Sequence, residues 1–113
     1  MEIRNLLTDL PPETAEEVFT DLVIGENFRL VKIVSNGQTT PDGEWYDQGE
    51  YEWVILLCGE AGLLFEGDTE PQTLKPGDFV HIPPHKKHRV ARTDTEQPTV
   101  WLALHHADES QRS

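Results

Sequence analysis

The chain has 113 residues, with 21 Asp and Glu against 9 Lys and Arg, a formal net charge of -12 and a single cysteine. Its length suits one domain with a core of its own and leaves little room for a second. So acidic a surface repels a phosphate backbone, whose binding rests on clustered Lys and Arg, so nucleic acid is excluded as a partner; a lone Cys58 excludes an intrachain disulfide and a thiolate zinc finger.

The opening residues, MEIRNLLTDLPPETAEEV, carry no basic stretch ahead of an apolar one. Nowhere does the chain reach the roughly 18 consecutive apolar residues of a membrane span. A soluble, cytoplasmic protein with no membrane partner is expected. Proline followed by acids in PPETAEEV predicts a short helical turn at 12–16, while EVFTDLV behind it reads equally as helix or strand.

From there Pro and Gly recur in SNGQTTPDG, CGEAG, EGDTEP, KPGD and IPPHKKH, and they cut the chain into pieces too short for sustained helices. The pieces are rich in β-branched, aromatic and leucine residues: NFRLVKIVS (27–35), EWVILLC (52–58), GLLFEG (62–67), GDFVHIP (77–83), HRVART (88–93) and TVWLALHH (99–106). Six or more short strands separated by turns predict an all-β sandwich, jelly roll or barrel. The whole of 1–113 is expected to form one domain, with a core at about 27–106 and a polar, flexible tail at 107–113.

All five histidines, His81, His85, His88, His105 and His106, fall in the last third of the chain. Strand pairing can bring them beside Glu52, an acid at the head of the apolar run EWVILLC. His105 and His106 close the last strand, so alternation turns one of them inward. His81, between Val80 and Ile82, is expected to face outward.

The segments EWVILLCGEAGLLFEG and KPGDFVHIPPHKKHRV together resemble the two motifs of the cupin superfamily, over roughly residues 41–104. Glu52 and Gly59 match the end of the first motif, and Gly77, Pro83 and His88 match the second. The two histidines of the first motif are exchanged: one register puts Tyr46 and Gln48 in their places, the other Trp45 and Asp47. His85 stands where the second motif has glycine, and Arg92 where it ends in asparagine. The run WYDQ is similar to a subset of small single-domain bacterial cupins with this substitution.

The resemblance implies a double-stranded β-helix, the jelly-roll barrel, with a site in its lumen. Glu52 facing that lumen would send Val54 and Leu56 inward and Trp53, Ile55 and Leu57 to the other face. It also implies a divalent metal, Mn, Fe, Ni or Zn, held by Glu52, His88 and either Gln48 or Asp47, an oxygen-rich set weaker than three imidazoles. Tyr46, His85 and His105 are further candidates for the lumen or its mouth. Trp45, Tyr46 and Tyr51 are read as packing residues or an aromatic wall, and Lys86 and Lys87 as a solvated pair or a receiver of an acidic substrate.

Three functions stay open at this point. The chain is a metal-dependent enzyme acting on a small molecule, or a metal-free module binding a small ligand through the same residues, or a domain whose exposed strand face makes a homodimer. No Gly-rich phosphate loop, serine elbow or paired cysteine motif is present to support other chemistries.

Overall fold

The apolar runs between the Pro and Gly breaks fold as eight strands in a computed structural model, which describes residues 1–8, 10–12 and 15–107. They are β1 (Val18–Ile24), β2 (Phe28–Ser35), β3 (Tyr51–Cys58), β4 (Ala61–Phe65), β5 (Gln72–Leu74), β6 (Phe79–Ile82), β7 (His88–Thr93) and β8 (Thr99–His106). All pairings are antiparallel. A five-stranded sheet has the order β1-β2-β8-β3-β6 and a three-stranded sheet the order β5-β4-β7. The buried cluster draws Val54, Leu56, Ile82, Trp101 and Ala103 from the first and Ala61, Leu63 and Leu74 from the second, so the sheets pack face to face. The result is the double-stranded β-helix.

The stretch EVFTDLV resolves as strand: β1 pairs with β2 along most of its length, with a bulge between Asp21 and Val23. The helical turn expected at 12–16 is corrected where it can be seen. Residues 13 and 14 lie outside the described residues, and Ala15 and Glu16 form a bend that leads straight into β1. A segment this short closes too few hydrogen bonds to hold a helix against strand pairing next to it. Of the tail at 107–113, only Ala107 is described.

Two glycines position the sheets. Gly59 takes φ of 84° where the chain leaves β3 in one sheet for β4 in the other. A side chain there would meet the Thr99 backbone at 2.8 Å and the Pro98 carbonyl at 2.9 Å, so both the conformation and the space require glycine. Gly77, at φ 96°, donates its backbone N–H to the Leu56 carbonyl, and Leu56 donates back to Asp78, which extends the β3–β6 ladder beyond the strand itself.

Along β3 the pattern alternates: Glu52, Val54 and Leu56 are buried, and Tyr51, Trp53, Ile55 and Leu57 are half-buried on the opposite face. The five-stranded sheet therefore has an inner face toward the lumen and an outer face on which Trp53 packs on Phe79, their ring centroids 5.3 Å apart. Phe79, Val23 and Phe28 are 61%, 49% and 41% exposed. No helix among the described residues is long and apolar enough to cross a membrane.

Candidate functional site

Strand register assembles the inner face. Glu52 on β3 stands opposite His105 on β8 and Ile82 on β6, and His105 stands opposite Arg29 on β2. On the facing sheet, β7 begins at His88. Together with Tyr46, Gln48 and Trp101 these residues line a cavity of about 310 Å³, which Glu17, Phe19 and Asp21 of the β1 side also border.

The segment before β3 decides which of two neighbouring residues enters. Tyr46 exchanges backbone hydrogen bonds with His88, N to O at 2.8 Å and back at 3.1 Å, and His85 donates to the Gln48 carbonyl at 2.8 Å. Residues 46–48 thus run beside 85–88 as an extended strip, and alternation sends Tyr46 and Gln48 inward and Asp47 outward. Asp47 lies at the rim, 2.9 Å from His85 Nδ1, and both are solvated. His85 has φ of 62°, the one non-glycine among the described residues in the left-handed region. It occupies the position where the second cupin motif has glycine, and the hydrogen bond from its amide and the contact with Asp47 hold it there.

The polar centre of the cavity is Glu52. Its Oε1 accepts a hydrogen bond from Gln48 Nε2 at 2.7 Å and lies 3.4 Å from His88 Nε2. The Glu52 and His88 side chains are almost sealed from solvent, and Gln48 is half-buried. His88 Nδ1 donates to the Lys86 carbonyl at 2.9 Å, which turns Nε2 toward the carboxylate. Burial pushes the Glu52 pKa up, but the hydrogen bonds from His88 and Gln48 and the nearby charges of His105 and His88 outweigh it and hold it below the ordinary value. Burial pulls the His88 pKa down, and again the Glu52 hydrogen bond, the Lys86 carbonyl and the Glu52 charge outweigh it and raise it. With His88 protonated the two groups form an ion pair that joins the sheets.

Around this pair, Tyr46 stacks on His88 with ring centroids 5.6 Å apart. Burial, then Glu17, lifts its phenol above the ordinary value, against a hydrogen bond with Thr40, so it stays a hydroxyl donor. His105 Nδ1 is buried without a hydrogen-bond partner among the described residues, 3.4 Å from Glu50 Oε1. Arg29 pairs with the same oxygen at 3.3 Å.

Several sequence candidates lie elsewhere. Tyr51, the half-buried His106 and the exposed His81 are on the outer face, with His81 outward as alternation indicated. Trp45 is at the surface, beneath the Arg89 guanidinium. Lys86 reaches the Glu66 carbonyl and Lys87 its carboxylate, so neither lines the cavity. Conversely, sequence reasoning did not single out Arg29, Glu17, Asp21 or Trp101. Alternation along NFRLVKIVS places Arg29 on one face with Val31 and Ile33, which is the signal that could have found it.

These donors do not make a divalent-metal cage. Among the described residues no three of His, Cys, Asp or Glu converge. The amide N–H of Gln48 is spent on Glu52, and Asp47 faces away. Catalytic zinc sites keep three protein ligands beside an open position, and the nearest donors here are Glu52 and His88, 3.4 Å apart.

Comparison with known proteins places this geometry. The Cupin domain family matches residues 30–105. A solved structure from Ralstonia eutropha JMP134, provisionally assigned as a mannose-6-phosphate isomerase, superposes with a TM-score of 0.91 at 44% identity, covering 96% of this chain and 100% of that one. The sucrose-binding protein of Glycine max is 32% identical over 81 residues, which are 72% of this chain and 15% of that protein. A glucose-6-phosphate isomerase of Thermococcus gammatolerans is 38% identical over 60 residues, 50% of this chain and 31% of that protein. The chain thus spans less than a third of either of these last two relatives.

The ion pair sets a pH window. Glu52, lowered on folding, adds stability above the unfolded value of about 4.3 and loses it as pH falls through the folded pKa; His88, raised on folding, adds stability below about 6.5 and loses it as pH rises through the folded pKa. Its contribution is therefore fullest between those two values. Histidine-resolved NMR titration will find His88 titrating above about 6.5 in the wild type and, in Glu52→Gln, below it, because burial then acts unopposed by the carboxylate. An unchanged His88 titration in the variant would refute the pair.

Proposed function

The chain belongs to the cupin family, and on that premise we propose that its lumen binds a small, uncharged, polyhydroxylated molecule of the sugar or polyol class. The observation that carries this reading is the Glu52–His88 ion pair set among apolar walls in a cavity of about 310 Å³. A carboxylate held ionised accepts hydroxyl hydrogens, and the Tyr46 hydroxyl and the imidazole of His105 offer complementary partners. Val31, Val54, Leu63 and Trp101 supply apolar surface for the C–H faces of a ring.

The names of the relatives share a sugar, and two of them a sugar phosphate. This lumen supports the first element and not the second. Three carboxylates, Glu17, Asp21 and Glu52, border it against two cations, the Arg29 guanidinium, itself paired with Glu50, and the His88 imidazolium, itself paired with Glu52. A phosphate dianion would meet net repulsion. A divalent Mn, Fe, Ni or Zn ion is not part of the reading, since Gln48 turns its amide N–H, which cannot ligate, toward Glu52. The same pair offers a base, Glu52, and an acid, His88, for moving a proton within a bound molecule, which makes isomerase-type proton transfer the enzymatic extension of the proposal.

Thermal unfolding in the presence of glucose, mannose and sucrose, and of glucose 6-phosphate, separates these readings. At a hundredfold excess over Kd a lumen ligand stabilises by about 2.7 kcal/mol. A neutral sugar will raise the melting temperature, EDTA will leave the shift in place, and Glu52→Gln will abolish it. A shift produced by the phosphate alone, or one that chelator removes, would sink the proposal.

We further propose that a second copy of the chain packs on the outer face of the five-stranded sheet around the solvent-exposed Phe79, on which Trp53 packs, with His81 and His106 left at the solvent-open rim of that contact. Light scattering should give twice the 12.9 kDa chain mass, and Phe79→Lys should return it to the mass of one chain. A wild-type protein of single-chain mass at micromolar concentration would contradict this.

A further inference from the structure

A second pair of imidazoles stands outside the lumen. β6 and β8 flank β3, and the register puts His81 opposite Trp53 and His106 opposite Tyr51. Both histidines therefore project from the outer face, one from each neighbour of β3. Their Nε2 atoms lie 2.8 Å apart and the contact is solvent-exposed.

The rings are held in this position. Tyr51 stacks on His106, with centroids 5.1 Å apart and planes 10° from parallel, and tilts against His81 at the same separation. The two imidazoles meet edge to edge, with centroids 5.0 Å apart and planes 24° from parallel. His106 Nδ1 donates to the Ala107 carbonyl at 2.8 Å, so the lone pair of a neutral His106 is on Nε2. His81 must then donate its Nε2–H into that lone pair. One proton thus occupies the space between two nitrogens.

We propose that His81 and His106 form a surface clamp that takes one divalent transition-metal ion, of the imidazole-preferring class that includes Ni(II), Cu(II) and Zn(II), in place of that proton. Two imidazole nitrogens at about 2.0–2.1 Å from such an ion, in a square or tetrahedral arrangement, are separated by roughly 2.8–3.4 Å. The gap in the structure needs to widen by about 0.6 Å at most, with the rings turning so that both lone pairs converge on the ion. The exchange is balanced: the ion receives the Nε2 lone pairs of both rings, His81 loses its Nε2 proton, and its Nδ1 takes one up from water. Water fills the remaining coordination positions. The hydrogen bond from His106 to a backbone carbonyl is the arrangement that orients and strengthens a ligating imidazole. The net charge of -12 raises the local concentration of cations. With two nitrogens and no carboxylate in the clamp, hard ions such as Mg(II) and Ca(II) gain little. None of the lumen residues takes part.

The test is equilibrium dialysis of the untagged full chain against Ni(II) alone, with His81→Ala, His106→Ala and the lumen variant His88→Gln alongside. The wild type and His88→Gln are expected to take up the ion equally, with binding weakened at least tenfold in each of the outer-face variants and no uptake of Mg(II). Because His81 is exposed, its replacement leaves the core untouched, and circular dichroism confirms the fold. As an independent readout, substoichiometric Ni(II) should broaden the NMR signals of His81 and His106 before those of His88 and His105. The inference is overturned if the wild type binds no Ni(II), if His81→Ala and His106→Ala bind it as the wild type does, or if His88→Gln is the variant that loses it.

Discussion

A carboxylate taken out of water at the head of a buried strand must be neutralised, and the interior of this protein is organised around meeting that demand at Glu52. Burial of an unpaired ion costs several kcal/mol, more than a small domain can spare from a total stability of about 5–15 kcal/mol. Glu52 comes from the five-stranded sheet, and His88, which answers it, opens the first strand residue of β7 in the three-stranded sheet. The pair is therefore a tie between the two layers, and also the polar centre of the lumen they enclose. Either partner alone would leave a buried group without its counterpart.

The rest of the rim follows from holding this pair in place. The two-way backbone bridge between Tyr46 and His88 aligns residues 46–48 with the strip 85–88, which turns Gln48 onto Glu52 and gives Asp47 to His85. The left-handed backbone of His85 is the cost of making that strip with a residue other than glycine. With Gln48 standing where one register of the first cupin motif has a histidine, the carboxylate accepts its amide N–H and lies beside the His88 imidazole. The exchange of histidines in WYDQ thus alters the chemistry of the lumen while leaving the barrel intact.

Much of this was legible in the sequence. Alternation along EWVILLC correctly separated Glu52, Val54 and Leu56 from Trp53 and Ile55, because a strand covered on one face by a core has one register that works. The spacing of Gly59, Gly77, Pro83 and His88 pointed to the fold, since the first three stand in turns that carry the chain between sheets. What was not legible depended on pairing across long separations. β5 has only three residues and no periodic signal of its own. The stretch EVFTDLV is decided by its pairing with β2, and the choice between Asp47 and Gln48 by a backbone bridge to residues some forty positions away. Arg29, Glu17 and Asp21 reach the lumen mouth only because β1 and β2 extend the sheet beyond β8, an order that local sequence does not encode.

The central claim is that Glu52 and His88 stabilise each other as a buried ion pair spanning the two sheets. A double-mutant cycle of Glu52→Gln and His88→Gln, read by urea unfolding at about pH 5.5, between the unfolded values of the two groups, tests it most directly. The account predicts a favourable coupling of about 1–3 kcal/mol, with the double variant more stable than the sum of the single losses implies. Additive losses, with no coupling beyond about 0.3 kcal/mol, would show that the two groups act independently and would contradict the account.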